Sequence, residues 1–228
     1  MACKKGLKFL ISAGPTREPI DPIRFISNYS TGYLGYEIAK AAKKQGHKVV
    51  LVSGPVALKK PVGIKRIEVM TAREMLEALK KNIEWADCLI MTAAVSDFRP
   101  KIIQKNKIKK KTSISTLQLI KNPDILKCLN AHRKGKIFVG FALETENLHK
   151  NALAKLKSKG LDLIIANQKG GKSACFGETI NTYHVIDKSF NCSALKDKSK
   201  SYLSRQIIDK SQNLWYNFNS KEKVNKIG

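Results

Sequence analysis

Residues 86–100, ADCLIMTAAVSDFRP, decide how this chain is built. Residues 86–95, ADCLIMTAAV, read as a buried strand, apolar to Val95 without the polar alternation of a half-solvated strand. An unbroken apolar run of strand length is what a parallel sheet requires when helices cover both of its faces. At Ser96 the polarity reverses, and Asp97 and Arg99 follow within three residues before Pro100 ends the stretch. Ligands of open α/β sheets bind outside the carboxyl ends of the strands. An acid and a base at such an end mark where chemistry is expected.

Working outward, residues 7–14 (LKFLISAG), 48–54 (KVVLVSG) and 66–70 (RIEVM) read as further strands. The stretch GYEIAKAAKKQG at 35–46 reads as a helix between the first two. Residues 71–83, TAREMLEALKKNI, open with a capping box: Thr71 caps the helix and Glu74 reaches back. Met75, Leu76, Leu79 and Ile83 recur at helical spacing and are expected to face the sheet. Residues 101–115 lose all periodicity and are rich in lysine, which predicts a loop or flap; 115–120 (STLQLI) reads as a strand. Residues 121–133, KNPDILKCLNAHR, read as a helix with Asn122 as cap and Pro123 in the first turn, where its missing N–H costs nothing. Residues 136–145, 161–168 and 181–187 are further strands, 151–160 is a helix closed by Gly160, and 202–218 is the last helix, followed by a polar tail expected to fray. Alternating strands and helices predict an α/β fold, a Rossmann-like three-layer sandwich with a largely parallel sheet and a lysine-rich flap. The 228 residues are read as one domain, with a core of about 7–218 and a tail at 219–228.

Composition narrows the function. The apolar runs are strand-sized, so no segment is expected to span a bilayer. The start, MACKKGLKFLISAG, runs into a Gly-Pro turn with no cleavage pattern, which argues against a secretory signal. Five widely spaced cysteines without a CxxC pair favour reduced thiols in a cytoplasmic protein over a disulfide framework or a zinc site. The net charge of +25 would attract polyanions, and a basic nucleic-acid-binding protein is the rival reading from another class. The lysines, however, are spread over helix surfaces with no interleaved aromatics for base stacking, so nucleic acid is disfavoured. A nicotinamide-dependent reductase is a second rival, but the chain lacks the G-x-G-x-x-G fingerprint, and no acid ends the strand at 48–54.

Three more strand ends carry unusual residues. The connection AGPTREPIDPIRFISNYSTGYLG at 13–35 ends by opening a helix. There Gly32, Gly35, Ser30 and Thr31 make either an anion site or an ordinary strand–helix turn. The run KIKKK at 107–111 is either a solvated face or a cationic flap that neutralises developing phosphate charge. The segment VGFALET at 139–145 is followed by Lys155 and Lys159, one turn apart on a helix. Asp97 itself either caps a turn in an ion pair with Arg99 or faces a ligand.

Taken in order, ISAGPTREPIDPIRFISNYSTGYLG, AAVSDFRP, KIKK, KNPDIL, VGFALET and KLKSKGLDLIIAN resemble the phosphopantothenate–cysteine ligase family. This is the synthetase half of the bacterial bifunctional coenzyme A biosynthesis flavoprotein. The likeness covers about residues 7–187 and is nearer the CTP-using bacterial branch than the ATP-using one, through TREPIDPIRFISN and the K-x-K-K run. It implies that 4′-phosphopantothenate and L-cysteine are joined through an acyl-cytidylate, with CTP as co-substrate and Mg2+ or Mn2+ present. Met91, Thr92, Ala93 and Asp97 would then hold the nucleotide, together with Pro123, Asp124, Ile125, Leu126, Phe141, Lys155 and Lys159. Asn28, Arg24 and Ala93 would meet the intermediate, Lys107 and Asn28 would be the catalytic residues, and Lys107 would also meet the nucleotide. The resemblance also implies a homodimer that pairs near the lysine flap and no flavin on these residues; the decarboxylase half is expected either on a separate chain that could partner this one or on a domain outside these residues. Two positions depart from the family pattern: Tyr33 stands where lysine is usual, and Thr179 where aspartate is usual.

Overall fold

The computed structural model describes residues 6–109, 116–168, 177 and 179–224. Its centre is an eight-stranded sheet in the order β12-β11-β10-β9-β6-β1-β4-β5. These strands are β1 (Lys8–Ala13), β4 (Lys48–Ser53), β5 (Lys65–Glu68), β6 (Cys88–Met91), β9 (Ile137–Glu144), β10 (Leu163–Gln168), β11 (Ile180–Asp187) and β12 (Cys192–Ser199). The six from β10 to β5 are parallel, and β11 and β12 add an antiparallel edge. The expected largely parallel sheet is therefore present.

Side chains alternate across the sheet and build two cores. Phe9, Ile11, Leu51, Ile90, Val139 and Ile165 pack under α1 (Tyr33–Lys44) and α5 (Lys200–Val224), which contributes Leu203, Ile207 and Ile208. Leu10, Val50, Leu89, Phe138 and Ile164 pack under α2 (Ala72–Ile83), α3 (Ile125–Leu129) and α4 (Leu148–Ser158). A three-layer sandwich follows, because every central strand buries both of its faces. Helix α2 starts as expected: Thr71 Oγ1 accepts from Glu74 N at 3.2 Å, and Glu74 Oε2 accepts from Met70 N at 2.8 Å. The buried Glu18 also accepts from Ala72 N, at 2.9 Å, so a second carboxylate faces the positive end of this helix.

The connections hold more order than their sequences suggest. Within 13–35, β2 (Arg17–Pro19) pairs antiparallel with β3 (Phe25–Ser27). Past the tip of β6, β7 (Phe98–Pro100) pairs with β8 (Leu119–Lys121), so the strand expected at 115–120 is short, shifted and outside the main sheet. Residues 101–109 are exposed and irregular, while Lys110 and Lys111 of the expected flap lie outside the described residues. Asn122 does not cap α3. Asp124 does, through Lys127 N at 3.2 Å, while Asn122 donates to the Ser96 carbonyl at 2.9 Å. Helix α5 continues through Val224, into the stretch read as a tail.

Candidate functional site

The connection from β1 through α1 leads toward β4, whereas β6 continues toward β9, on the other side of β1. The strand order reverses between β1 and β6, and a doubly wound sheet opens its crevice at that point. A cavity of about 590 Å³ lies there, walled by the ends of β6 and β9, the start of α1, and residues 121–126. Met91, Thr92, Ala93, Asp97, Pro123, Asp124, Ile125, Leu126, Phe141, Lys155 and Lys159, all singled out in the sequence, line it together.

Close packing fixes the β1–β6 corner. A Cβ on Gly35 would meet Thr92 Oγ1 at 2.4 Å and the Ala13 side chain at 2.6 Å, so only glycine lets α1 sit against the strand ends. Gly32, the N-cap of α1, has φ 75°, a left-handed conformation that favours glycine. Thr92 Oγ1 donates to the Ser12 carbonyl at 2.5 Å, and Ser12 Oγ accepts from Ala93 N at 3.2 Å. The tip of β6 is thus fastened to β1 by side chains and presents a narrow floor.

The polar reversal after Val95 is held from two sides. Thr16 Oγ1 accepts from Ser96 N at 3.0 Å, and Asn28 Nδ2 donates to the Ala94 carbonyl at 3.0 Å. From the other side Asn122 N donates to the Asp97 carbonyl at 2.8 Å. Arg99 donates to the Lys121 carbonyl at 2.5 Å and to Asn122 Oδ1 at 3.1 Å. The guanidinium is committed there rather than to Asp97, whose exposed side chain lines the cavity.

Lys155 of α4 and Lys159, the C-cap of that helix, supply positive charge. Lys155 Nζ donates to the Phe141 carbonyl at 2.6 Å. Burial pulls its pKa down, with Lys159 acting in the same direction and Glu144, Asp97 and Asp124 opposing. Lys159 pairs with Asp124, so that carboxylate serves both an ion pair and the cap of α3. A cationic group held in a partly dehydrated pocket gains from an incoming anion, because the anion restores the charge balance that burial weakened.

Three expected residues lie outside the cavity lining. Asn28 reaches its rim through Ala94. Arg24 belongs to a separate clasp, and Lys107 precedes Ile108, which the clasp holds. Asp21 accepts from Arg24 Nε at 3.0 Å and Nη2 at 2.5 Å, and from Ile108 N at 3.1 Å, while Arg24 Nη2 also donates to the Ile108 carbonyl at 3.0 Å. The Arg24 guanidinium holds the Asp21 carboxyl far below the usual carboxylate range. The segment carrying Lys107, itself exposed, is tied by this clasp to the loop between β2 and β3.

The sequence reading missed Lys200, Tyr183, Asn167 and Ser96, all of which line the cavity. Lys200, the buried first residue of α5, donates to the Gly177 carbonyl and lies 6.0 Å from the Tyr33 ring centroid. An ammonium therefore stands beside the position where the family pattern departs, supplied from the far end of the chain. Nothing in the run KDKSK distinguishes this lysine from its neighbours.

Comparison with known proteins gives consistent matches. The family model for the DNA/pantothenate metabolism flavoprotein C-terminal domain matches residues 4–214. The coenzyme A biosynthesis bifunctional protein CoaBC of Bacillus subtilis is 42% identical over 205 residues, covering 90% of this chain and 50% of that protein. The chain thus spans about half the length of the curated relatives it matches. A crystal structure of the C-terminal domain of a CoaBC protein superposes with TM-score 0.81 at 34% identity, covering 93% of this chain and 97% of that one. The DNA/pantothenate metabolism flavoprotein from Streptococcus pneumoniae follows with TM-score 0.80 at 25% identity, covering 92% of this chain and 100% of that one.

Proposed function

From the premise that this chain belongs to the DNA/pantothenate metabolism flavoprotein C-terminal domain family, we propose that it is a CTP-dependent phosphopantothenate–cysteine ligase of coenzyme A biosynthesis. The observation that carries the reading is the cavity at the β1–β6 switch point, where small strand-end residues, Asp97, Lys155 and Lys159 meet. Family membership supplies the substrates; the geometry supports where each would sit.

In the proposed reaction the carboxylate of 4′-phosphopantothenate attacks the α-phosphorus of CTP. A new O–P bond forms and pyrophosphate leaves. The amine of L-cysteine then attacks the acyl carbon of the resulting acyl-cytidylate; the amide forms, CMP leaves, and the amine releases a proton. A bare carboxylate is a poor electrophile, and the mixed anhydride gives it a good leaving group. Met91, Thr92 and Ala93 would offer the floor for the nucleotide, Phe141 would pack on it, and Asp97 would accept from an exocyclic amine or ribose hydroxyl. Pro123, Asp124, Ile125 and Leu126 would form the facing wall, and Lys155 and Lys159 would meet phosphate oxygens. Asn28 and Arg24 would steady the intermediate, and Lys107 would approach from the clasped segment to offset charge during amide formation.

Mg2+ or Mn2+ would neutralise triphosphate charge and polarise the phosphoryl group. Asp97 on the cavity wall would offer such an ion a hard oxygen donor, phosphate oxygens and water supplying the rest. The chain is proposed to act as one domain, as a homodimer, in the cytoplasm; among the described residues no helix is long and apolar enough to cross a membrane.

The test is pyrophosphate release from CTP with 4′-phosphopantothenate. Without cysteine a burst should stop once the sites fill, and with cysteine turnover should continue. Faster turnover with ATP would overturn the choice of nucleotide and leave the ligase. No pyrophosphate from either nucleotide would overturn the ligase itself.

A further inference from the structure

On the α4 side of the sheet, outside the cavity lining, two imidazoles and a thiol converge. His184 lies on β11, and Cys192 begins β12. The antiparallel register sets Cys192 opposite Ile186 and Ala194 opposite His184. With a two-residue period, His184, Ile186 and Cys192 therefore share one face. Ile186 belongs to the core under α4, with Leu148 and Ala152. His149, the second residue of α4, is thereby brought over that face, and its ring meets the His184 ring edge-on at 4.7 Å between centroids.

One ligand atom from each of His149, His184 and Cys192 lies within 4.8 Å of the other two. A tetrahedral ion with metal–nitrogen bonds of about 2.0–2.1 Å and a metal–sulfur bond of about 2.3 Å needs donors roughly 3.5 Å apart. His149 and Cys192 are both exposed, and rotation of their side chains is the motion that would bring the donors to that spacing. Two imidazole nitrogens and a thiolate form a borderline-soft donor set, which selects Zn2+, Co2+ or copper over the hard Mg2+ of nucleotide chemistry. None of the three residues lines the cavity.

We propose that His149, His184 and Cys192 form a binding site for a divalent transition-metal ion of the Zn2+ type, with water completing a four-coordinate shell. The ion would tie β11 and the outermost strand β12 to the start of α4, three segments joined otherwise by packing and a strand ladder. An ion that binds only the folded chain raises its apparent stability by mass action. The site is independent of the ligase reading, and its test contains no turnover assay.

The experiment titrates Co2+ into the full chain under reducing conditions and follows the thiolate-to-cobalt charge-transfer band, then displaces Co2+ with Zn2+. One saturable band is expected in the parent. It should be lost in Cys192→Ser and kept in Cys128→Ser, which removes another exposed thiol. His149→Ala and His184→Ala should each raise the Kd at least about tenfold, the cost of disturbing even outer partners of a metal site. Zn2+ should raise the melting temperature of the parent and of Cys128→Ser, but not of Cys192→Ser. A band that survives in Cys192→Ser, a band lost equally in Cys128→Ser, or no saturable band in the parent would overturn the proposal.

Discussion

The Lys155 ammonium donates to the Phe141 main-chain carbonyl at 2.6 Å, aiming a helix α4 side chain at the carboxyl end of β9. The contact fixes the lysine while burial lowers its pKa, so in the proposed site a phosphate would meet a positioned and under-solvated cation. Lys155→Gln keeps a donor for Phe141 but removes the charge. A hydrogen bond to a charged group contributes about 1.5–3 kcal/mol, so CTP affinity should fall about ten- to a hundredfold. Calorimetric titration reads this directly, and an unchanged Kd would remove Lys155 from the phosphate site.

Lys107 is exposed on the clasped segment, so its substitution should leave the fold alone. Lys107→Gln is expected to keep the pyrophosphate burst and slow the cysteine step, whereas Asn28→Ala should impair handling of the intermediate. Rapid-quench measurement of each half-reaction separates the two. Parent-rate cysteine turnover in Lys107→Gln would show that the role is misassigned.

Asp21 joins Arg24 to the Ile108 backbone. Asp21→Ala should free that segment, and trypsin should cut after Lys105, Lys107 or Lys109 several-fold faster. The carboxyl is held low chiefly by Arg24, so its stabilising effect is complete above the unfolded carboxylate pKa of about 3.9. That effect is lost only as pH falls toward the lower folded value. Parent and variant should therefore differ at pH 5 and converge in strong acid. Equal cleavage rates at pH 7 would rule out the clasp.

His47 is buried against Phe9, with Nδ1 accepting from Leu7 N at 3.1 Å. Burial pushes its pKa below 6.5 against the opposing pull of Asp209. Below about pH 6.5 the unfolded chain binds a proton that the folded chain resists, so stability should decline with falling pH until the folded value is reached. His47→Gln should flatten the pH dependence of the urea midpoint across that window. An identical slope would mean that other groups govern it.

Gly35→Ala places a methyl group against Thr92 and Ala13 at the cavity corner. Overpacking of this kind costs about 1–3 kcal/mol, visible as a lower melting temperature, and should weaken nucleotide binding by shifting the β6 tip. A variant as stable as the parent would show that the corner gives way easily.

Much of this architecture was legible because burial on both faces leaves an unmistakable mark: the apolar runs at β1, β4, β6, β9 and β10. The capping box at Thr71 and Glu74 is local, and so it was readable too. Strand β12, CSALKDKS, is almost wholly exposed and carries no apolar run to find. The cap of α3 was misread because Asn122 and Asp124 are both good cap residues around one proline. Distant partners decide between them: Ser96 and Arg99 engage Asn122, and Lys159 engages Asp124. The cavity lysines followed the same division. Lys155 and Lys159 stood out by family likeness and helical spacing, whereas Lys200 is made distinctive only by a chain reversal that returns α5 to the mouth of α1.

The two margins of the central sheet have a consequence for assembly. At one margin β12 displays Lys196, Asp197 and Lys198, and Asp197 bends the backbone to φ 48°. At the other, β5 shows Lys65 and an Arg66–Glu68 ion pair. Charges and a local kink at an open strand oppose zippering between molecules. A two-fold assembly of this chain is therefore expected to meet through loops and side chains, because among the described residues neither border offers a flat, neutral ladder for a second copy to lengthen.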